Sequence, residues 1–234
     1  MSLSYITENL SDVRREIAEA ERRVDRKGKT LMLAAVKYGS LEELEALLAA
    51  GVTHVGENRV QQLLEHYPLL QAANAKIHFI GSLQTNKVKY IIDKVEMIHS
   101  VDSLRLAAEI SKRAQQQGIT MPILVEINAA REEAKSGVLP EEADPLCREI
   151  LQLPGLHLGG FMTMGPIFPD REAYRRYFAG VREMANELWE RLALPGRPLL
   201  SMGMSQSFGA AIEAGADLIR VGRRLFATRE TVES

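Results

Sequence analysis

The chain has 234 residues, 46% of them hydrophobic and 26% charged, with a formal net charge of -2. That length supports one domain with a sizeable core, and the near-neutral balance, with no basic tract, argues against nucleic acid as a partner. The amino end (Met1-Ser2-Leu3-Ser4-Tyr5) has no apolar signal core and no apolar run is long enough to span a membrane. The single cysteine, Cys147, excludes an internal disulfide and a cysteine-rich metal site. The expected location is the cytoplasm.

Residues 4–26 predict an amphipathic, heavily charged helix. Leu31-Met32-Leu33-Ala34-Ala35-Val36 follows, a short apolar run typical of a buried parallel strand, and it stops on Lys37. Leu41 to Leu48 predicts a helix with Ser40 as N-cap and Gly51 as its stop. Further strand-like runs fall at 53–56, 76–80, 95–99, 121–127, 156–162, 198–202 and 217–221. Between them lie helical patterns: Ser103 to Gln117, closed by Gly118; Glu141 to Leu151, with Cys147 in a packing position; and Arg171 to Leu192, closed by Pro195-Gly196. Tyr174, Tyr177, Phe178 and Trp189 on that long helix are expected to pack on their own barrel, and a monomer is expected.

Eight strands alternating with helices predict an α/β fold: one (β/α)8 TIM-type barrel domain over residues 1–234, with an extra helix at its amino end. A doubly wound open sheet is the runner-up. It usually carries a glycine-rich fingerprint after its first strand, and Lys37-Tyr38-Gly39-Ser40 is not one.

Function in such a barrel sits at the carboxyl ends of the strands. Those ends read Lys37, Glu57-Asn58, Gly81-Ser82-Leu83-Gln84, His99, Glu126 with Asn128, Thr163, Ser201 and Arg220. Lys37, held by a sheet and desolvated by apolar neighbours, would have the lowered pKa of an imine-forming amine. The seventh strand runs into Ser201-Met202-Gly203-Met204-Ser205 ahead of a helix over about 207–214, and the eighth into Arg220-Val221-Gly222-Arg223. Small residues, hydroxyls and free N–H groups there predict a phosphate site, with Gly222 allowing close backbone approach. Closure of the barrel sets Lys37 beside Arg220. Amine, phosphate cup and arginine together describe a site for pyridoxal 5'-phosphate (PLP), with a Schiff base at Lys37 and a cationic arginine disfavouring protonation of the ring nitrogen.

The sequence resembles the pyridoxal phosphate homeostasis proteins, the YggS/PROSC family, over nearly its whole length. The likeness lies in Ala35-Val36-Lys37, Gly56 to Gln61, His78 to Lys87, Asn128 to Glu132 with Lys135 to Gly137, Gly160 to Met164, Leu200 to Ser205 and Arg220-Val221-Gly222. It implies a barrel like the cofactor domain of alanine racemase. It also implies Lys37 as the Schiff-base lysine, Arg220 at the pyridine nitrogen, Ser201 and Gly222 at the phosphate with backbone at Met202 and Arg223, and Asn58 lining the pocket. The family often has Ser-Lys-Thr-Lys around that lysine and an acidic residue after the Gly-Met-Ser run. Here Val36-Lys37-Tyr38-Gly39 and Gln206-Ser207-Phe208 stand there, so the second lysine is absent.

The function expected is PLP binding in intracellular PLP homeostasis, with PLP-dependent apoenzymes as recipients and no ordinary turnover. Racemisation needs an acid/base group on each face of the substrate carbon, and Lys37 supplies one. The alternatives are a slow racemase or lyase using Tyr38, His78 or His99 as second base, a cofactor-free Schiff-base aldolase on a phosphorylated sugar, and, least favoured, a pure interaction module.

Overall fold

The apolar runs of the sequence close into a ring. The structure, a computed structural model, describes residues 3–227. Eight parallel strands pair in chain order and seal as a barrel: β1 (Leu31–Ala35), β2 (His54–Glu57), β3 (Lys76–Phe79), β4 (Met97–Val101), β5 (Met121–Glu126), β6 (Leu156–Met162), β7 (Leu199–Ser201) and β8 (Leu218–Val221). The seam is β1 against β8, in a register that sets Leu33 opposite Arg220. Helix α1 (Ser4–Arg23) precedes the barrel. Outside it run α2 (Leu41–Ala49), α3 (Val60–Ala72), α4 (Leu104–Gln117), α5 (Pro140–Ile150), α6 (Arg171–Arg191), α7 (Phe208–Glu213) and α8 (Arg223–Phe226). No described helix is long and apolar enough to cross a membrane.

Strand alternation separates two apolar regions. Ala34, Val55, Ile77, Phe79, Ile98, Ile123, Phe161, Leu200 and Ile219 face the helices and form the large core. Leu33, Ala35, Ile80 and Leu218 form a smaller cluster apart from it. Leu31 and Leu199 pack against this smaller cluster, and buried polar residues, among them His78, His99, Ser201 and Arg220, lie on the strands as well.

Local chemistry sets the helix ends. Ser40 and Glu43 make a reciprocal capping box on α2. Ser103 caps α4, which ends on Gly118 in the left-handed region at φ 66. Tyr174, Phe178 and Trp189 of α6 are buried, and Trp189 meets Phe161 of β6 edge-on at 6.0 Å. Cys147 is fully buried on α5, and burial pushes its thiol up to about 12.

Three expectations need correction. Helix α1 stops at Arg23 rather than residue 26, because the buried Glu21 carboxylate accepts the N–H groups of Gly28 and Thr30, at 2.7 and 2.8 Å, and pulls the chain into a turn. Strand β4 runs Met97–Val101 rather than 95–99, which places His99 within the strand and not at its carboxyl end. The first strand ends at Ala35, and a single tight turn over Val36–Tyr38 carries Lys37 out to the barrel mouth, where it is exposed. The desolvated lysine read from the sequence is not what the fold presents.

Two polar assemblies brace the barrel. Asp217, just before β8, accepts from Arg26, Arg182 and Arg197 and from the Leu200 N–H. Burial works against ionisation there. The hydrogen bonds from Arg197 and Leu200 and the charge of Arg182 overcome it and hold the Asp217 carboxyl below its ordinary range. On α1, Asn9 donates to the carbonyls of Leu225 and Ala227 at 3.2 and 2.9 Å. Glu16 accepts both terminal nitrogens of Arg224 at 2.7 and 2.5 Å.

Candidate functional site

Closing the ring brings the first and last strands together, and a cavity of about 280 Å³ opens at their carboxyl ends. Its walls include Lys37 and Tyr38 from the turn after β1, Asn58 after β2, Ile80 after β3, and Arg220, Gly222 and Arg223 from the end of β8. Met164, Ser205 and Lys135 complete the rim. The topology therefore gathers five of the seven residues read from the sequence (Lys37, Asn58, Arg220, Gly222 and Arg223). The other two, Ser201 and Met202, are fully buried. Ser201 lies beneath Arg220, with its Oγ accepting from Nη1 at 2.7 Å. The Met202 N–H is spent on the carbonyl of Leu218 at 3.0 Å.

Arg220 is the electrostatic centre of the site. It is 4% exposed, and its other terminal nitrogen donates to the Thr163 carbonyl at 2.8 Å and reaches Met164 Sδ at 3.4 Å. Burial lowers its pKa to about 10, offset by the charge of Glu126. A guanidinium has five N–H groups, so these bonds leave capacity for a ligand acceptor. Glu126 is itself 5% exposed. Burial raises its carboxyl to about 7, with Asp102 adding to the rise and Arg220 opposing it.

At the mouth, Lys37 Nζ lies 4.9 Å from the Tyr38 ring centroid, a cation–π distance. The Gly222 N–H donates to Ser205 Oγ at 3.2 Å. Gly203, at φ 92, has no room for a side chain, since a Cβ there would stand 2.5 Å from the Cβ of Ala211. Its glycine is a turn requirement, whereas Gly222 serves the cavity wall. Asn58 Oδ1 is buried without a partner among the described residues.

His78 and His99, weighed as second bases, lie inside the barrel, hydrogen-bonded to each other at 2.9 Å. Burial lowers the pKa of both, to about 4 for His78 and well below the ordinary value for His99. Tyr38, the third candidate, does reach the cavity. Glu57 faces the opposite way, onto His66 of α3 at 2.7 Å. Lys135 was missed as a wall residue. Its Nζ is held by Glu132 Oε1 at 2.8 Å and the Gly165 carbonyl at 3.1 Å, an arrangement with no local sequence signature.

The family model for the alanine racemase N-terminal domain matches residues 8–230. The pyridoxal phosphate homeostasis protein of Aquifex aeolicus is 42% identical over 224 residues, covering 95% of this chain and 98% of that protein. The protein of the same name from Pseudomonas aeruginosa is 34% identical, covering 97% of each. Among solved structures, PipY of Synechococcus elongatus with PLP bound superposes at a TM-score of 0.83 and 27% identity, over 95% of this chain and 100% of that one. An alanine racemase from Clostridium difficile shares the fold at a TM-score of 0.72 and 17% identity; the match covers 94% of this chain and 57% of the racemase. The chain belongs to the pyridoxal phosphate homeostasis protein family, built on the alanine racemase N-terminal domain.

Proposed function

We propose that the whole chain acts as one PLP-binding barrel domain that holds the cofactor reversibly and keeps its aldehyde under control in the cytoplasm. The observation that carries this reading is the convergence of Lys37 and Arg220 on one cavity across the β1–β8 seam. The residues present fit the cofactor. Asn58 Oδ1 is a buried acceptor in want of a donor, and Gly222 lines the cavity together with Tyr38 and Arg220. Lys37 would hold the cofactor at its aldehyde carbon, covalently through Nζ. Arg220 would donate to the pyridine nitrogen and disfavour its protonation. Gly222, Arg223 and Ser205 would hold the phosphate, with Ser201 acting from beneath Arg220.

Bound PLP supplies an electron sink, and an arginine partner makes that sink weak. Lys37 stands in an open mouth, which favours exchange over protected chemistry. The recipients that fit such a carrier are PLP-dependent apoenzymes, served by a monomer. A second reading, a slow racemase or lyase, is favoured by one observation: Tyr38 lines the same cavity as Lys37 and offers a second acid/base group.

The test is an absorption titration with PLP, then borohydride reduction and peptide mapping. A visible band fixed onto Lys37 supports the assignment, and its absence in wild type overturns it. Enantiomer assays on amino acids, with Tyr38→Phe as control, separate carrier from racemase.

A further inference from the structure

Beneath Arg220 a file of polar side chains runs down the inside of the barrel. Arg220 Nη1 meets Ser201 Oγ at 2.7 Å, Ser201 Oγ meets His99 Nδ1 at 3.0 Å, and His99 Nε2 meets His78 Nδ1 at 2.9 Å. Strands β8, β7, β4 and β3 contribute one residue each, and none is more than 5% exposed.

The first bond in the file has a fixed direction, because a guanidinium only donates: Ser201 accepts from Arg220. A hydroxyl can accept twice, but His99 Nδ1 is the one other hydrogen-bond partner of Ser201 Oγ among the described residues, and giving the hydroxyl hydrogen to it is the arrangement that leaves that hydrogen satisfied. His99 then carries its own proton on Nε2 and donates it to His78 Nδ1. The His78 proton sits on Nε2, which has no partner among the described residues. Both rings must be neutral to accept in this way, and burial keeps them so. The acceptor end of each dipole faces Arg220, which favours its cationic form, and aligned bonds reinforce one another.

The file is no proton conduit, because the guanidinium at its upper end does not give up a proton at physiological pH. Nor is it ordinary barrel filling, which consists of layers of branched aliphatic side chains. A buried polar line at this place contributes orientation. We infer that His99 and His78 are positioning residues for Arg220: through Ser201 they fix its guanidinium at the cavity floor, where it meets the ring nitrogen of the cofactor. This inference rests on the PLP reading of the cavity, though the bond directions themselves can be tested without cofactor.

The experiment has two arms. In the first, ring ¹⁵N NMR of the cofactor-free protein at neutral pH reads the tautomers. Neutral, Nε2-protonated rings at both His78 and His99 are expected, and an Nδ1-protonated His99 overturns the file. In the second, PLP is titrated into wild type, His99→Phe, His99→Gln and Ser201→Ala, with thermal melts to verify folding. His99→Phe and Ser201→Ala are expected to weaken PLP binding about tenfold and to shift the visible band. His99→Gln, which can still accept and donate, is expected to recover most of both. A folded His99→Phe or Ser201→Ala protein with wild-type affinity and band overturns the inference, and Ser201→Ala decides it if His99→Phe does not fold. A wild-type protein that takes up no PLP overturns the cofactor reading instead, and leaves the tautomer result to judge the file alone.

Discussion

The ring of Tyr38 occupies the space in which a side chain at position 222 would stand. A Cβ on Gly222 would lie 2.9 Å from Cδ2 and Cε2 of Tyr38 and 3.0 Å from the Ala35 carbonyl oxygen. The glycine and the tyrosine are therefore matched across the β1–β8 seam. Gly222→Ala is expected to push Tyr38 into the cavity mouth, weakening PLP binding on the order of tenfold, about 1.4 kcal/mol. The loss would come from crowding against the Tyr38 ring and the Ala35 carbonyl. Absorption titration of the folded variant measures it, and an unchanged affinity would refute the match.

Tyr38 also stands against the amine of Lys37. Removing the ring by Tyr38→Ala deletes a cation–π contact worth about 0.5–1 kcal/mol at an exposed site and opens the mouth. Release of PLP to an acceptor apoenzyme is expected to speed up two- to fivefold. Stopped-flow absorbance at the visible band reads this, with Tyr38→Phe staying near the wild-type rate.

Glu126 gives the protein a pH-dependent weakness. Its folded pKa of about 7 lies above the unfolded value, so the folded state holds the proton more tightly. Stability from this group is full below the unfolded pKa, declines as pH rises toward about 7, and is flat above. Glu126→Gln is expected to remove that decline, gaining on the order of 2 kcal/mol relative to wild type at pH 8 and little at pH 5. Urea unfolding at the two pH values decides it; an equal offset at both would assign Glu126 no such role.

Asp217 works with the opposite sign. Its folded pKa is depressed, so its contribution is present above the unfolded carboxyl pKa and is lost as pH falls through the lower folded value. Asp217→Asn would leave three guanidiniums without their shared counter-ion. Two of these, Arg26 and Arg182, have side chains only 17% and 16% exposed. The expected cost is about 3–5 kcal/mol at neutral pH, shrinking in strong acid, and chemical denaturation at both extremes would measure it.

The sequence carried the barrel because eight short apolar runs are hard to bury in any other way, and Ser40, Ser103 and Gly118 mark helix ends by purely local chemistry. It carried Lys37, Asn58, Arg220, Gly222 and Arg223 as cavity neighbours because strand order alone puts their strand ends on one face. It did not carry the exposure of Lys37, which depends on where hydrogen bonding to β2 and β8 stops. Nor did it carry the link between β3 and β4. That link is a short 3₁₀ helix over Thr85–Tyr90, in which Val88 is the one fully buried side chain. The Asp217 cluster and the histidine file join residues separated by up to 191 and 102 positions, so no window of sequence contains them.

The clasp between α1 and the last described turn turns a distant helix into a reporter. Asn9 and Glu16 hold α8 by its carbonyls and by Arg224, and α8 begins directly after the cavity wall at Gly222. A ligand that steadies α8 must, by linkage, also steady whatever grips it. Backbone amides of α1 should then exchange with deuterium more slowly when the cavity is filled, although no residue of that helix lines it. The amino-terminal helix would act as an occupancy gauge, legible from the outside of the barrel to any protein that meets it there.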